Sequence, residues 1–511
     1  MTLFYNLRLR KKEMKKIILF AIVVFGLTTS CYNSNKTDNS TAEIVVANDT
    51  CKTIDNYLMQ LATDKNFSGG LLIIKDGKKI FSKGYGWTNK EKKIPFTPAT
   101  LASMGSITKA FTAAAIMKLT EQGKLSVNDS LKKFFPNVPS DKANITIHQL
   151  LTHSSGFVEF LKDDGGDYEK IETKAFLERA FLAPLAFKPG DKAVYTNVGM
   201  SILGIIIEQV SGIDYETFLK QNLFVPNHIN GIGYYATDPN NENIAHGYQN
   251  GKDWGTIPQH IAAVGNQPYW NLKANGGLEA SLNDMFLWAN AFANNDLLND
   301  TTIEKMFSAQ IIEEGYGGQS SFGYGCNISK SRRATKMIDN GGSNGIYFAR
   351  LIRLPEEGLV FYMVTNESSI NTNSVLPNVT QLYFKGVIEQ DALTMKPKFK
   401  TAEAEKIYTI IEQTKPIDLS IALAKQNIKV DNDMILLDVG RRLLDEKKAD
   451  EALVLYQFYT KSFPNIIVAW NDMGDVNQMK GNKAEAIKCY IQALKIKPDN
   501  QRAKDNLEQL K

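Results

Sequence analysis

The chain is poor in the residues that many site chemistries require. Four cysteines, at 31, 51, 326 and 489, are spread over 511 residues. The last three lie too far apart, in segments of different character, to make a disulfide framework, and no redox role follows from them. Cys326, in the apolar run FGYGCNIS, reads as a small core residue. The five histidines, at 148, 153, 228, 246 and 260, include no His-x-x-x-His pair of the metalloprotease kind, so no catalytic metal is expected. Lys and Arg outnumber Asp and Glu only 59 to 55, and the excess is spread along the chain. That excludes the concentrated basic face of a nucleic-acid binder, and the lysines read as solvated surface. The glycine-rich stretches GGDYEK and GYGGQSSFGYG lack the strand-and-helix frame of a phosphate loop. What remains is ordinary for a globular protein, 43% hydrophobic and 22% charged, and long enough for two or three domains.

The N-terminus carries RLRKKEMKK and then IILFAIVVFGLTTSC. A basic segment, a short apolar core and small residues are the parts of a secretory signal. The apolar core, Ile17 to Thr28, falls well short of the roughly 20 residues of a membrane span. Met14 is an alternative start, since MKKIILF alone begins a complete signal. The segment ending LTTSC resembles the bacterial lipoprotein signal, which implies Cys31 as the lipidated first residue of the mature chain. Cleavage without lipid, or an uncleaved anchor, are the alternatives. Residues 1–31 are thus expected to be a signal and the polar residues 32–51 a flexible tether. The expected location is the cell envelope, as a periplasm-facing or outer-surface lipoprotein held to the membrane by its lipid, or secreted if not lipidated.

From residue 52 to about 390 the pattern is mixed. GGLLIIKDGKKIFSKGYGW predicts two strands joined at Asp76-Gly77. GSITKAFTAAAIMKLTEQG predicts a helix stopping at Gly123, and NVGMSILGIIIEQVSG a second, buried one. INGIGYYATDPNNENIAHGYQNGKDWG reads as a loop-rich insertion, and GIYFARLIRLPEEGLVFYMVTN as two strands around Pro355 to Gly358. Strands at both ends with helices between imply an α+β fold. Past about 390 the character changes. Gly440 and Gly474 are 34 apart, as are Ala452 and Ala486, Tyr456 and Tyr490, and Pro464 and Pro498. This period, with these residues, resembles the tetratricopeptide repeat, which implies an all-α stack over 431–511 and a peptide or protein partner. Residues 391–430 read as a helical linker, with one helix capping the stack.

Ser106 and Lys109, in SMGSITKAF, put a hydroxyl and an amine on one helix face. A serine needs its proton removed, and a lysine can do this only if burial or cationic neighbours destabilise its ammonium. A second copy, Ser130 to Lys133 in NDSLKKFFPNVP, reads better as a helix cap with Asp129.

The stretch FSGGLLIIKDGKKIFSKGYGWTNKEKKIPFTPATLASMGSITKAFTAAAIMKL, followed by ITIHQLLTHSSGF, resembles the serine β-lactamase and penicillin-binding-protein-like hydrolases of the class C type. The resemblance spans roughly residues 55 to 385 and implies a β-lactamase/transpeptidase-like domain with an antiparallel sheet and helices packed around it. It implies Ser106 as nucleophile and Lys109 as its base. It also requires a Tyr-x-Asn element in a loop before a helix. Tyr195-Thr-Asn197, Tyr248-Gln-Asn250 and Tyr269-Trp-Asn271 fit the tripeptide, but only the first has that setting. Tyr195 is therefore expected to pass the proton with Lys109, and Asn197 to position Lys109 and the substrate amide. NGGLEASLNDMFLWANAF also resembles the family, with Gly276 and Gly277 near the site. On the strand edging the site the family carries Lys-Thr-Gly or His-x-Gly, whereas here the sequence is Asn340-Gly341-Gly342. Asn340 hydrogen-bonds but carries no charge. Gly342 still permits close approach of a substrate, and the N–H groups of Ser106 and Ser343 are expected to form an oxyanion hole. His153 is expected to be packed or hydrogen-bonded, and Asp339 to be a strand-edge charge.

These residues imply an envelope serine hydrolase, without a cofactor, acting on an ester, amide or D-amino-acid peptide bond through an acyl-enzyme on Ser106. A binding or scaffold protein on the same fold, and a penicillin-sensitive D-alanyl peptidase, are the alternatives.

Overall fold

A computed structural model describes residues 44–510 apart from 162–164, 250, 315–317, 370–371, 389–398, 400, 431–432 and 499. Cys31, the signal and most of the expected tether lie outside the described residues. The strands of the main sheet and of the pair beside the site, in chain order, are β1 (Val45–Val46), β2 (Gly69–Lys75), β3 (Lys78–Tyr85), β4 (Ala102–Ser103), β5 (Glu279–Ala280), β6 (Ile311–Ile312), β7 (Ser320–Phe322), β8 (Asn327–Lys330), β9 (Lys336–Ser343), β10 (Phe348–Leu354) and β11 (Leu359–Thr365). Strands β4 and β5 pair with each other. The other nine form one antiparallel sheet in the order β1-β3-β2-β11-β10-β9-β8-β7-β6. The hairpin joining β2 to β3 turns at Asp76 (φ 48°) and Gly77 (φ 74°), the two left-handed residues whose twist matches the flanking strands.

Apolar residues run consecutively through β2 because both sheet faces are covered. Leu72 and Ile74, with Leu351 and Tyr362, face the main helical core, which includes α2 (Thr108–Glu121), α3 (Asn197–Ser211) and α4 (Leu282–Ala293). Leu71 and Ile73, with Phe361 and Met363, face Ile54 and Leu58 of α1 (Asp49–Lys65) and Val375 and Val379 of α5 (Thr372–Lys385). Ala113, Ala114 and Ala115 of α2 are fully buried, so small side chains let neighbouring elements close on it. The insertion is mostly irregular, with a short ribbon pairing Gly247–Gln249 and Lys252–Gly255.

Regular structure is present within the last residues of the expected tether. Val45 and Val46 pair with Ser82 and Phe81, and the Asn48 side chain caps α1 by accepting the Cys51 N–H. Two β-branched residues beside a sheet edge and an asparagine at a helix start outweigh composition here. Cys51, Cys326 and Cys489 are each buried. Ser130 takes the cap position of the short helix Leu131–Phe134 without a side-chain cap bond. Lys133 pairs with Asp129 at 2.6 Å, so this second Ser-x-x-Lys copy is a local surface arrangement.

The C-terminal region is helical: α6 (Ala402–Thr414), α7 (Leu419–Lys425), α8 (Asp433–Asp445), α9 (Ala449–Ser462), α10 (Ile467–Met479), α11 (Lys483–Ile496) and α12 (Gln501–Gln509). Ile407 of α6 and Leu423 of α7 share one core with Leu436 and Leu455. The segment expected as a linker is therefore the first layer of the helical stack. The 34-residue period has a physical cause. A Cβ at Gly440 would meet the Tyr456 ring system at 2.4 Å, and one at Gly474 the Tyr490 ring at 2.4 Å.

Candidate active site

Ser106 sits in a 3₁₀ turn, Gly105–Ile107, between β4 and the start of α2. The turn is tight because Gly105 is left-handed (φ 51°) and touches β9, where a Cβ would come within 2.6 Å of the Ser343 nitrogen. One helical turn on, Lys109 is 3% exposed. Its Nζ lies 2.9 Å from Ser106 Oγ and donates to the Asn275 carbonyl at 2.7 Å. The Tyr195 hydroxyl reaches the same Ser106 Oγ at 2.7 Å, and Lys109 Nζ stands 4.8 Å from the Tyr195 ring centre. The three side chains expected to act together thus converge on one oxygen.

Tyr195 is placed by the residues around it. Thr196 caps α3 through the Gly199 N–H, and its hydroxyl donates to the Val158 carbonyl at 2.7 Å. The Thr196 N–H donates to His153 Nδ1 at 3.2 Å, and the His153 ring packs on Tyr195 and on Phe322. Burial and the Lys109 charge push His153 down to about 3, so it is a neutral acceptor that positions the tyrosine loop. This is the packed, hydrogen-bonded role expected of it.

Burial also pushes Lys109 down to about 7, against the opposing pull of the Glu159 and Asp167 carboxylates. A substantial fraction of Lys109 is therefore neutral at physiological pH. Burial raises the Tyr195 phenol, which keeps its proton and is a donor. The amine is the group able to accept the serine proton, and the phenol the group able to deliver one.

On β9, Gly342 presses against the nucleophile turn. A Cβ there would stand 1.9 Å from the Met104 carbonyl oxygen and 3.0 Å from the Ser106 nitrogen. The Ser106 and Ser343 N–H groups are thereby brought to the same end of the strand. Strand β8 pairs with β9 only as far as Asp339, so residues 340 to 343 have no strand partner on that side among the described residues. This leaves a length of backbone facing the cleft.

Two expected site residues are placed differently. Asn340 is 7% exposed, and its amide donates to the Gly325 carbonyl at 2.6 Å. Strand alternation turns it inward while Asp339 and Gly341 face the cleft, so it is not among the cleft-lining residues. The Lys109 amine bonds Ser106 and the Asn275 carbonyl and not Asn197, whose N–H donates to the Glu159 carbonyl at 3.2 Å and which borders a small hollow with Asn275. The Asn275 carbonyl holds Lys109 instead, because the segment between Lys273 and Gly277 folds directly over α2. The other two Tyr-x-Asn tripeptides are structural. The Tyr248 hydroxyl bonds Glu91 and the Lys90 N–H, and Asn271 bonds Glu169.

Sequence reasoning missed the Asn275 carbonyl, which lies in the quoted NGG stretch, and the Glu159 and Asp167 charges. It also left Asp339 as a plain strand-edge charge, whereas Asp339 faces the cleft and grips Arg350 through two hydrogen bonds, at 3.0 and 2.7 Å. Among the described residues no group of three or more His, Cys, Asp or Glu side chains is arranged to hold a metal.

The chain has relatives in both sequence and structure. It is similar to PbpX of Bacillus subtilis (strain 168), named as a penicillin-binding protein, at 29% identity over 58% of this chain and 69% of that one. It is also similar to Protein flp of Staphylococcus aureus (strain COL), at 30% identity over 40% of this chain; the match spans 42% of flp's length. Among solved structures, the octameric penicillin-binding protein homologue from Pyrococcus abyssi superposes with a TM-score of 0.57 at 27% identity, over 70% of this chain and 81% of that one. The family model described as Beta-lactamase matches residues 54–378, which include Ser106, Lys109, Tyr195 and the whole of β9. The chain therefore belongs to the beta-lactamase family, a family of serine hydrolases that includes penicillin-binding-protein homologues.

Proposed function

We propose that this protein is an acyl-transferring serine hydrolase of the cell envelope that works through a covalent intermediate on Ser106. One observation carries the reading: Ser106 Oγ lies 2.9 Å from an amine held near neutrality and 2.7 Å from a phenol that keeps its proton. In the forward step Ser106 Oγ attacks the carbonyl carbon of an ester or amide, and its proton passes to the neutral Lys109 Nζ. The developing oxyanion is held by the Ser106 and Ser343 N–H groups. Tyr195 delivers a proton to the leaving oxygen or nitrogen and is resupplied by Lys109, which returns the amine to neutrality. Water then repeats the attack on the acyl carbon. The acid is released and Ser106 regenerated.

The unpaired edge of β9 supports an extended substrate, since an amide-bearing chain adds there as a further strand. Asn340, standing where the family has Lys or His, leaves the strand without its usual cation, which favours esters, amides or D-amino-acid peptides over substrates anchored at that position by a carboxylate. The same reading assigns residues 1–31 as a signal with Cys31 lipidated, residues 52–390 as the hydrolase domain of class C type, and the helices of 431–511 as tetratricopeptide repeats for a protein or peptide partner. Its support is the N-terminal sequence and the 34-residue period.

The test is intact-mass spectrometry of the protein lacking its signal, incubated with a fluorophosphonate and separately with a penicillin, with Ser106→Ala as control. A single fluorophosphonate adduct lost in the variant is the expected result. A penicillin adduct in addition selects the D-alanyl peptidase reading. No adduct from either reagent in folded protein overturns the enzyme and leaves the scaffold reading, which the loss of the β9 cation favours.

A further inference from the structure

The cleft does not end at the nucleophile. It begins at Ser106 and Tyr195, passes Gly341 and Ser343, and continues over the exposed side of β8 and β9 to α5, enclosing about 1390 Å³. Small-ligand sites run to roughly 300–1,000 Å³, so this one is larger than a single amino-acid leaving group requires. Its floor follows from strand register. Asn327 lies opposite Asp339, Ser329 opposite Met337, and Gly341 opposite Arg350, so one continuous row of side chains crosses three strands. Gly341 has nothing within 4 Å of where its Cβ would stand, which leaves the passage from Ser106 to that row open.

The two charges of this floor nearest Gly341, Asp339 and Arg350, are paired with each other, while Lys330 and Lys336 lie at its far end. Arg350 donates Nε–H and one Nη2–H to Asp339, at 3.0 and 2.7 Å, and Nη1–H to Asn373 Oδ1 at 3.1 Å. Three of five guanidinium N–H groups are thereby used, and two remain for carbonyl oxygens of a bound chain. Because Asp339 already neutralises Arg350, the part of the groove beside Gly341 suits a neutral hydrogen-bonding chain better than an isolated carboxylate. The lining is mostly polar, and among the described residues Phe348 is its one aromatic residue beyond Tyr195. That suits a peptide backbone, which the free edge of β9 also matches, and offers few flat surfaces for sugar rings.

We propose that the groove from Gly341 to Arg350 and Asn373 is a leaving-side subsite for several residues of a polar peptide, so that the enzyme cleaves bonds inside a peptide chain and not only at its carboxyl end. This rests on the acyl-enzyme reading of Ser106. The test uses ester-linked depsipeptides with one acyl group and leaving chains of one, two or four residues, made of glycolate alone or glycolate followed by one or three glycines, each as the free acid and as the amide. The expected result is a kcat/KM at least tenfold higher for four residues than for one, with less than threefold difference between acid and amide. Arg350→Met and Asn373→Trp are expected to bring the four-residue rate down to the one-residue rate. A flat length series overturns the proposal. So does a preference for the one-residue acid, or protection of the site by an N-acetylated oligosaccharide in place of peptide. Reaction of each protein with a fluorophosphonate, which needs the nucleophile but not the groove, shows separately whether the serine works. If it does not, calorimetry of the four-residue amide against the one-residue amide on the same protein still reads the groove, and equal affinities overturn it.

Discussion

Replacing Lys109 with methionine tests the central electrostatic claim without any substrate. Lys109 is 3% exposed and held at about 7, against 10.5 for an ordinary lysine. At about 1.4 kcal/mol per unit, the folded state carries a penalty of about 5 kcal/mol when the amine must be charged. The sign follows from proton counts. Between pH 7 and 10.5 the unfolded chain holds a proton that the folded chain has released, so stability rises with pH across that window. Below pH 7 both states are protonated and the full penalty stands; above 10.5 neither is, and it vanishes. Lys109→Met removes the penalty but also leaves the buried Asn275 carbonyl without its donor, at a cost of about 1–3 kcal/mol. The variant is therefore expected to be more stable than the parent by about 2–4 kcal/mol at pH 6, and equal or less stable at pH 10. Urea unfolding at pH 6, 8 and 10, followed by tryptophan fluorescence, measures the difference. Trp87, Trp254, Trp270 and Trp288 report on the hydrolase region, and Trp470 alone lies outside it. A difference between parent and variant that does not change with pH would refute the reasoning, because a buried neutral lysine must produce that slope.

Two further outcomes follow from the same geometry. The acylation rate with a neutral ester is expected to rise with pH to a plateau with its midpoint near 7, falling about tenfold per unit below, because Lys109 must be neutral to accept the serine proton. In a pH-rate series Glu159→Gln should move that midpoint lower, since the Glu159 carboxylate is the larger of the two charges holding Lys109 up; an unmoved midpoint rejects its influence. The adjacent glycines of β9 should differ sharply. Gly342→Ala puts a methyl 1.9 Å from the Met104 carbonyl oxygen and should cost about 100-fold or more in kcat by opening the oxyanion hole. Gly341→Ala meets nothing within 4 Å and should fold with unchanged thermal stability, as a paired melting experiment would show.

Much of the fold was legible because it is written locally. Asp76-Gly77 names its own hairpin, and Gly123 and Gly358 mark their turns with left-handed backbone. The serine, lysine and tyrosine were legible as well, each framed by helix-start or loop sequence. What was not legible depends on register and on contacts across the chain. Whether Asn340 or its neighbours face the cleft turns on the pairing of β9 with β10, and a one-residue change would reverse it. The Asn275 carbonyl is a backbone group, and no residue type announces which carbonyl will hold a lysine 166 positions away. The end of the tether, expected at residue 51, was missed for a related reason: Val45 and Val46 become a strand only because β3 offers an edge further along the chain.

The sheet joins its two halves at β2 and β11, where Leu72 lies opposite Tyr362, about 290 residues later in the chain. Everything that forms the active site is threaded between those two strands. During synthesis the hairpin of β2 and β3 waits, with one long edge unmatched, until nearly the whole hydrolase segment has been made. Closure of that seam is a late, long-range step of the kind that sets slow folding rates. The helices after residue 401, by contrast, pack against near neighbours and can form as they emerge. The nucleophile is thus assembled only when the chain from residue 69 to residue 365 is complete. A truncated product ending between β9 and β11 has Ser106 but no strand seam to hold β9 against it, and should be inert.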